Sequence, residues 1–281
     1  MNWLEVQYAY YFMMGNEVKI SIASAIFLAV ISTHALADFE SVMISQQAFR
    51  EIGGECIGSK SKIQLLDGKV SITNEVGKTY KLSLDDQDQD LPAYLGSAQK
   101  AGVCVAAFKY AENSVNESFT LFVFDQTSGE FKPSRAGLVT NPEFLNGKIL
   151  SNYKDGPTTH NDTLCYSAAK NDYYACEKRE QFSELFERRE VCADTSCTDP
   201  EIVREGTVAP VEAIVSIPKV HFFDMTDDAV FTERKAYLVQ GNKVVLSDYR
   251  RNAGGLYYKV AYVERVKTTG WIPENAIKIN N

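Results

Sequence analysis

Two histidines, His160 and His221, follow the first 37 residues, so a Ser-His or Cys-His nucleophile must recruit one of them. His160 sits in Asp155-Gly-Pro-Thr-Thr-His-Asn-Asp-Thr163. That stretch reads as a long polar loop in which Asp155 and Asp162 are candidate partners, and no G-x-S-x-G accompanies it. His221 precedes Phe222-Phe223, the setting of a packed or surface histidine. Asp85-Asp-Gln-Asp-Gln-Asp90 concentrates carboxylates, and Asp86, Asp88 and Asp90 match the opening spacing of a calcium loop. Leu91 takes the glycine position and Ser97 that of the bidentate glutamate, so turn and closing ligand are both lost. A solvated acidic loop is the expectation, with no metal and no cofactor. Acidic residues suited to glycosidic chemistry are abundant, but their separation in space is invisible in a sequence. No two roles of a catalytic site occur together, and the chain is expected not to be an enzyme.

Six cysteines follow: Cys56, Cys104, Cys165, Cys176, Cys192 and Cys197. Their spacing contains no C-x-x-C, which argues against zinc. A turn centred on Lys170-Asn171 sets Cys165 directly opposite Cys176, within cross-strand reach of a disulfide. Cys192 and Cys197 bracket the polar turn Ala-Asp-Thr-Ser and can close a small loop. Elimination then leaves Cys56 with Cys104.

Paired cysteines belong to an oxidising compartment, and the start of the chain agrees. Lys19 precedes the apolar run Ile20–Ile31, which leads to Ala35-Leu-Ala37. Charge, short apolar core and A-x-A form a signal peptide over 1–37, cleaved after Ala37. The apolar run is shorter than the ~20 residues that cross a bilayer, so no stable membrane anchor is expected. Residues 1–16 hold no Lys or Arg; a start at Met13 or Met14 gives a conventional n-region. The periplasm is the expected destination.

The 281 residues are 45% hydrophobic and 23% charged, which places the chain among globular proteins. A net charge of −8 argues against a general nucleic-acid binder, which needs a basic face. Neither P-loop glycines nor G-x-G-x-x-G occur, so nucleotide binding has no support.

The elements that must position these groups are strands. Lys62–Leu66, Lys69–Thr73 and Lys78–Leu84 are separated by Asp67-Gly68, a hairpin signal, and by Asn74–Gly77. Gly102–Tyr110, Phe119–Asp125 and Lys148–Tyr153 follow, with turns at Asp125–Gly129 and Asn141-Pro142. Phe119, Leu121 and Val123 face one way and Phe122 and Phe124 the other, which marks a central strand. Glu180–Val191 reads equally as a short helix or as two strands. Residues 193–210 carry Pro200 and Pro210 among small and acidic residues, a linker-like composition. The organisation expected is all-β: a domain over 38–192, a linker over 193–210 and a second domain over 211–281.

Val220–Asp224, Lys235-Ala-Tyr-Leu-Val-Gln-Gly-Asn-Lys-Val244, Leu256-Tyr-Tyr-Lys-Val-Ala-Tyr262 and Thr269-Gly-Trp-Ile272 together resemble a bacterial SH3 domain. Gly241-Asn-Lys-Val244 differs from that family's Gly-Asp-x-Val only by Asn for Asp. Gly241 suits a turn of positive φ. The resemblance implies a small SH3-like barrel over 211–281, with Tyr237, Tyr257, Tyr258, Tyr262 and Trp271 as a candidate surface. At alternate positions, half of these aromatics must be core.

Phe122–Phe131, Leu138-Val-Thr-Asn-Pro-Glu-Phe144 and Lys148–Gly156 are similar to a family of periplasmic β-propeller-like proteins. It includes immunity-type inhibitors of cell-wall lysozymes. Its calcium-like Asp-x-Asn-x-Asp-Gly loop is replaced here by Phe108–Glu117. This resemblance implies a β-meander or propeller-like N-terminal domain and an exported inhibitor or immunity protein, whose partner is a cell-wall hydrolase or toxin. Residues 153–163 are the expected partner-binding loop, with Tyr153 as anchor and Asp155, His160 and Asp162 as polar contacts. The alternative is a protein whose barrel holds peptidoglycan or an envelope protein, and a hydrolase is the outsider.

Overall fold

The computed structural model describes residues 39–44, 50–52, 61–66, 69–74, 76–84, 91–97, 103–145, 147–228, 230–264 and 266–279. Among them the chain is all-β, as expected, with a single 3₁₀ turn at Glu274–Ala276. The signal peptide, Cys56 and Asp86, Asp88 and Asp90 lie outside the described residues.

Alternating apolar residues build three stacked sheets. The five-stranded sheet runs in the order β1 (Phe39–Ile44), β6 (Leu91–Ser97), β7 (Cys104–Glu112), β8 (Glu117–Asp125) and β9 (Glu130–Thr140). On one of its faces packs a four-stranded meander: β2 (Arg50–Ile52), β3 (Ser61–Leu66), β4 (Lys69–Thr73) and β5 (Thr79–Ser83). Leu66 pairs with Lys69, so β3 and β4 pair in the register that the hairpin signal requires; Asp67 and Gly68 themselves lie outside the described residues. Ile63, Leu65, Val70, Ile72 and Leu82 meet Leu95, Phe108, Phe122 and Phe124 in one core. The opposite face of β8 offers Phe119, Leu121 and Val123 to Val139, Ile149, Leu164 and Tyr173. The strand apolar on both sides is therefore central, as its sequence requires.

Ile149, Leu164 and Tyr173 belong to a six-stranded meander. It comprises β10 (Pro142–Leu145), β11 (Lys148–Asp155), β12 (Thr158–Ser167), β13 (Asp172–Gln181), β14 (Phe186–Val191) and β15 (Glu201–Arg204). Glu180–Val191, open between helix and strands from sequence, is the end of one strand, a turn and the next strand. Asn141 sits at the corner where β9 gives way to β10, in the left-handed region at φ +44°. Its side-chain oxygen accepts from the Glu117 amide at 2.8 Å. Its carboxamide nitrogen donates to the carbonyls of Val115 at 3.1 Å and Asn152 at 2.8 Å. Asn141→Ala is expected to lose about 1–3 kcal/mol of stability, because backbone groups at the corner lose their partners while a non-glycine keeps a left-handed backbone. Urea unfolding checks this.

The Cys165–Cys176 and Cys192–Cys197 disulfides are both present. The register behind the first differs from expectation: Cys165 pairs with Tyr174, not with Cys176. The turn occupies Ala168–Asn171, with Asn171 at φ +48°. Thr163 pairs with Glu177 and Leu164 with Ala175, so Cys176 is the extra residue of a β-bulge. A bulge re-aims its side chain, and here the Cα atoms of the bridged cysteines are 5.6 Å apart. Cys104 is disulfide-bonded and fully buried.

The six-stranded sheet is held by charge where it lacks apolar residues. Glu177 accepts from Arg179 at 2.8 Å and from Arg189 at 2.7 Å, and Arg189 reaches Glu201 at 2.6 Å. Glu187, 4% exposed, accepts from Arg179 at 2.6 Å and from the Gly206 amide at 3.3 Å. Burial raises the Glu177 carboxyl, but the two guanidinium hydrogen bonds outweigh it and leave it below its usual range.

The stretch expected as a linker, 193–210, contains β15, in which Ile202 and Val203 are fully buried. Beyond it, a seven-stranded sheet runs β18 (Phe231–Val239), β17 (Lys219–Met225), β21 (Lys267–Pro273), β20 (Gly255–Val263), β19 (Lys243–Asn252), β16 (Glu212–Val215) and β22 (Ile277–Ile279). β16, the first of these strands in the chain, pairs with β22, the last, and Gly241 adopts φ +88° in the turn before β19. Phe186 and Ile202 enter the same core as Val220, Phe222, Leu246, Tyr258 and Ile272. The C-terminal sheet thus completes its interior with side chains from the six-stranded one. At its edge, β18 bulges: His221 pairs with Tyr237 and Phe223 with Glu233, leaving Arg234–Ala236 opposite Phe222 alone.

Candidate functional site

Residues 153–163 are a hairpin rather than a loop. Asp155 pairs with Thr158 across Gly156-Pro157, and Tyr153 pairs with His160. Gly156 takes φ +57°, which lets the chain reverse in two residues. The polar composition that suggests a loop reflects strands with no apolar neighbours on either side. Because side chains alternate and Ser151 pairs with Asp162, the four expected residues Tyr153, Asp155, His160 and Asp162 share one face. The Tyr153 and His160 rings stack at 4.5 Å with 6° between planes. Burial lifts the Asp162 carboxyl above its usual range, and His160 and Lys178 pull the other way. Burial likewise raises the Tyr153 phenol, reinforced by Asp162 and Asp155.

This face runs on across the sheet: His160 pairs with Glu180, and Glu180 with Arg188. There it meets the C-terminal sheet in a cleft of about 280 Å³ lined by Glu180, Arg188, Asp248, Tyr249, Arg250 and Arg251. Arg188 donates to Asp248 at 2.8 Å and to Glu190 at 2.6 Å. Tyr249 donates to Glu180 at 2.5 Å and stacks on Phe182 at 3.9 Å. Burial, then the Glu180 bond, pushes the Tyr249 phenol well up. None of these cleft residues carries a sequence signal, because their partners lie 60 and 69 residues away.

The aromatic set nominated for the C-terminal sheet divides. Tyr258 is 3% and Trp271 7% exposed, so neither forms an open surface. Tyr258 points inward with Leu256 and Val260 in the alternation of β20. Trp271 lies on the other face but is covered by Phe231, whose ring centroid is 5.7 Å away. Half-buried Tyr262 packs against the core. Tyr237 is 53% exposed beneath the Lys219 ammonium, 4.3 Å from its ring. Half-buried Tyr257 stacks on Phe231 at 4.0 Å and meets Phe223 edge-on at 5.8 Å. That leaves an aromatic step of Phe223, Phe231 and Tyr257 on the outer face.

Among the described residues, one group gathers metal-type donors: Glu190, Cys192 and Cys197. The two sulfurs are joined to each other, so a single carboxylate remains, which does not make a site. The hairpin face can stack and hydrogen-bond from a rigid base, the chemistry of a contact surface. No known protein family, curated protein or solved structure matches the chain.

Proposed function

We propose that this is an exported periplasmic binding protein that inhibits a cell-wall-degrading enzyme by presenting the β11–β12 hairpin to it. The observation that carries the reading is preorganisation. A hairpin fixed before binding spends little of its contact energy on ordering, and here Cys165–Cys176 ties β12 to β13 below the hairpin while the Tyr153–His160 stack stiffens the stem. The disulfides suit an oxidising compartment, and no described helix is long and apolar enough to cross a membrane. In this reading the protein acts by contact, with no bond made or broken.

The second reading is a barrel that holds peptidoglycan, favoured by the aromatic step at Tyr257 and Phe231. The pairing of β16, the first strand of this sheet in the chain, with β22, the last, and the 3₁₀ turn before β22 support the SH3-like resemblance. One experiment separates the two. The chain from residue 38 onward is mixed with purified sacculi, with and without a c-type lysozyme. Slowed solubilisation that is abolished by Asp155→Arg/Thr158→Arg supports the inhibitor. Co-sedimentation without enzyme that is abolished by Tyr257→Ala supports the barrel reading and overturns the inhibitor. Neither effect overturns both.

A further inference from the structure

The hairpin has an open edge that other parts of the chain have closed. β10 pairs with β11 only from Lys148 to Ser151, so among the described residues Asn152–Asp155 have no strand on that side. An exposed edge leaves amides and carbonyls unpaired. Here two asparagine carboxamides take the place of the missing strand. Asn141 donates to the Asn152 carbonyl at 2.8 Å. Asn116 does more: its oxygen accepts from the Lys154 amide at 3.1 Å, and its nitrogen donates to the Lys154 carbonyl at 2.9 Å. One side chain thus reproduces a full rung of a β-ladder, 38 residues away in sequence.

Asn116 is itself held. The Asn113 side chain accepts from the amides of Val115 at 3.0 Å and Asn116 at 2.9 Å. The Asn113 amide donates back to the Asn116 carbonyl at 2.9 Å. The β7–β8 turn is therefore a rigid bracket, and its carboxamide joins it to the hairpin. Val115 is 56% exposed at its tip, and Lys154, Asp155, Gly156 and Pro157 are exposed on the hairpin.

We infer that the partner-facing surface is a ridge of two turns, 113–116 and 154–157, and that Asn116 is the positioning residue that fixes one turn against the other. This rests on the inhibitor reading. The ridge carries one cation, Lys154, and one anion, Asp155, on a chain of net charge −8. A projecting, charge-balanced ridge with a valine and a proline at its tips fits a concave cleft and is recognised by shape. The ridge adds no net charge to the contact, so long-range steering comes from the rest of the chain and the ridge itself is selected by its fit.

The test uses the chain from residue 38 onward against a c-type lysozyme on sacculi. Asn116→Ala is expected to weaken inhibition roughly tenfold, since the ordering of the ridge is then charged to binding. Its melting temperature is expected to stay close to that of the parent, while the Lys154 amide exchanges faster with solvent. Asn116→Asp keeps the acceptor for that amide and loses the donor to the carbonyl. With its second carboxylate oxygen repelled by the Lys154 carbonyl, it is expected to recover little of the protection or the inhibition. Raising salt is expected to leave the ratio of parent to Asn116→Ala inhibition nearly constant, since the ridge contributes no net charge. Unchanged exchange at Lys154 in Asn116→Ala overturns the clamp. Faster exchange with undiminished inhibition overturns the ridge as the partner-facing surface, and a parent-to-variant ratio that collapses as salt rises overturns recognition by shape. A parent chain that fails to inhibit overturns the inhibitor reading and the ridge's partner-facing role with it. The exchange measurement then still decides the clamp by itself.

Discussion

Ile202→Ala is expected to cost about 3–4 kcal/mol, the range for emptying a fully packed aliphatic site. Ile202 is fully buried, and it packs with Phe186 among Val211, Ala213, Leu246 and Tyr258. Its strand hydrogen-bonds to the six-stranded sheet, with Arg188 opposite Ile202, while its side chain fills the core of the seven-stranded one. The cavity therefore weakens both bodies. Urea unfolding followed by two probes, far-ultraviolet circular dichroism and Trp271 fluorescence, is expected to show one shifted transition in common. Two transitions with only one displaced would mean that the sheets do not share a core. The same packing predicts that a fragment beginning at residue 211 loses Phe186 and Ile202 from its interior, which is why whole-chain variants are the right instruments for the functional tests.

Breaking the Arg179–Glu187 pair from one side is expected to be comparably severe. Side-chain exposures are 16% for Arg179 and 5% for Glu187, so both charges are largely out of water. Arg179→Ala strands the Glu187 carboxylate with only the Gly206 amide, at 3.3 Å. Removing one partner of a buried pair costs about 3–5 kcal/mol, whereas replacing both with apolar groups of similar size is close to neutral. Arg179→Met/Glu187→Leu is therefore expected to recover most of the loss, less what Glu177 and the Thr207 carbonyl lose as partners of Arg179. A double-mutant cycle in urea measures the coupling. A double variant no more stable than Arg179→Ala would show that the pair contributes more than its desolvation costs.

What could be read from residue types was local periodicity. Phe119, Leu121 and Val123 against Phe122 and Phe124 marked the central strand, because period-two alternation survives whatever packs on either side. The pairing of Cys165 with Cys176 was legible, but its register was not: the turn closes over Ala168–Asn171 rather than about Lys170-Asn171, which sets Tyr174 opposite Cys165, and the bulge then carries Cys176. Polar Asp155–Thr163 looked like a loop because a strand of polar residues has no hydrophobic pattern to show. Residues 193–210 looked like a linker because prolines and acids dominate the average and hide the four residues of β15. Tyr153, Asp155, His160 and Asp162 do share a face. Asn141-Pro142 was legible as a turn, but the bonds of the Asn141 side chain were not; Asn116 and the Arg179–Glu187 pair gave no sign, since an asparagine or arginine becomes structural only through a distant partner.

The swollen outer strand of the C-terminal sheet bears on how the molecule behaves in a crowd. A straight, unpaired border invites another extended chain to add to it. Three residues stand against one at Arg234–Ala236, and Arg234 is drawn away to the Thr269 carbonyl at 2.7 Å. With the charged Lys235 left pointing into water at the centre of the swelling, an incoming strand meets broken spacing and a cation it must desolvate. This side of the protein resists self-templating, so concentrated solutions should stay free of fibres seeded there.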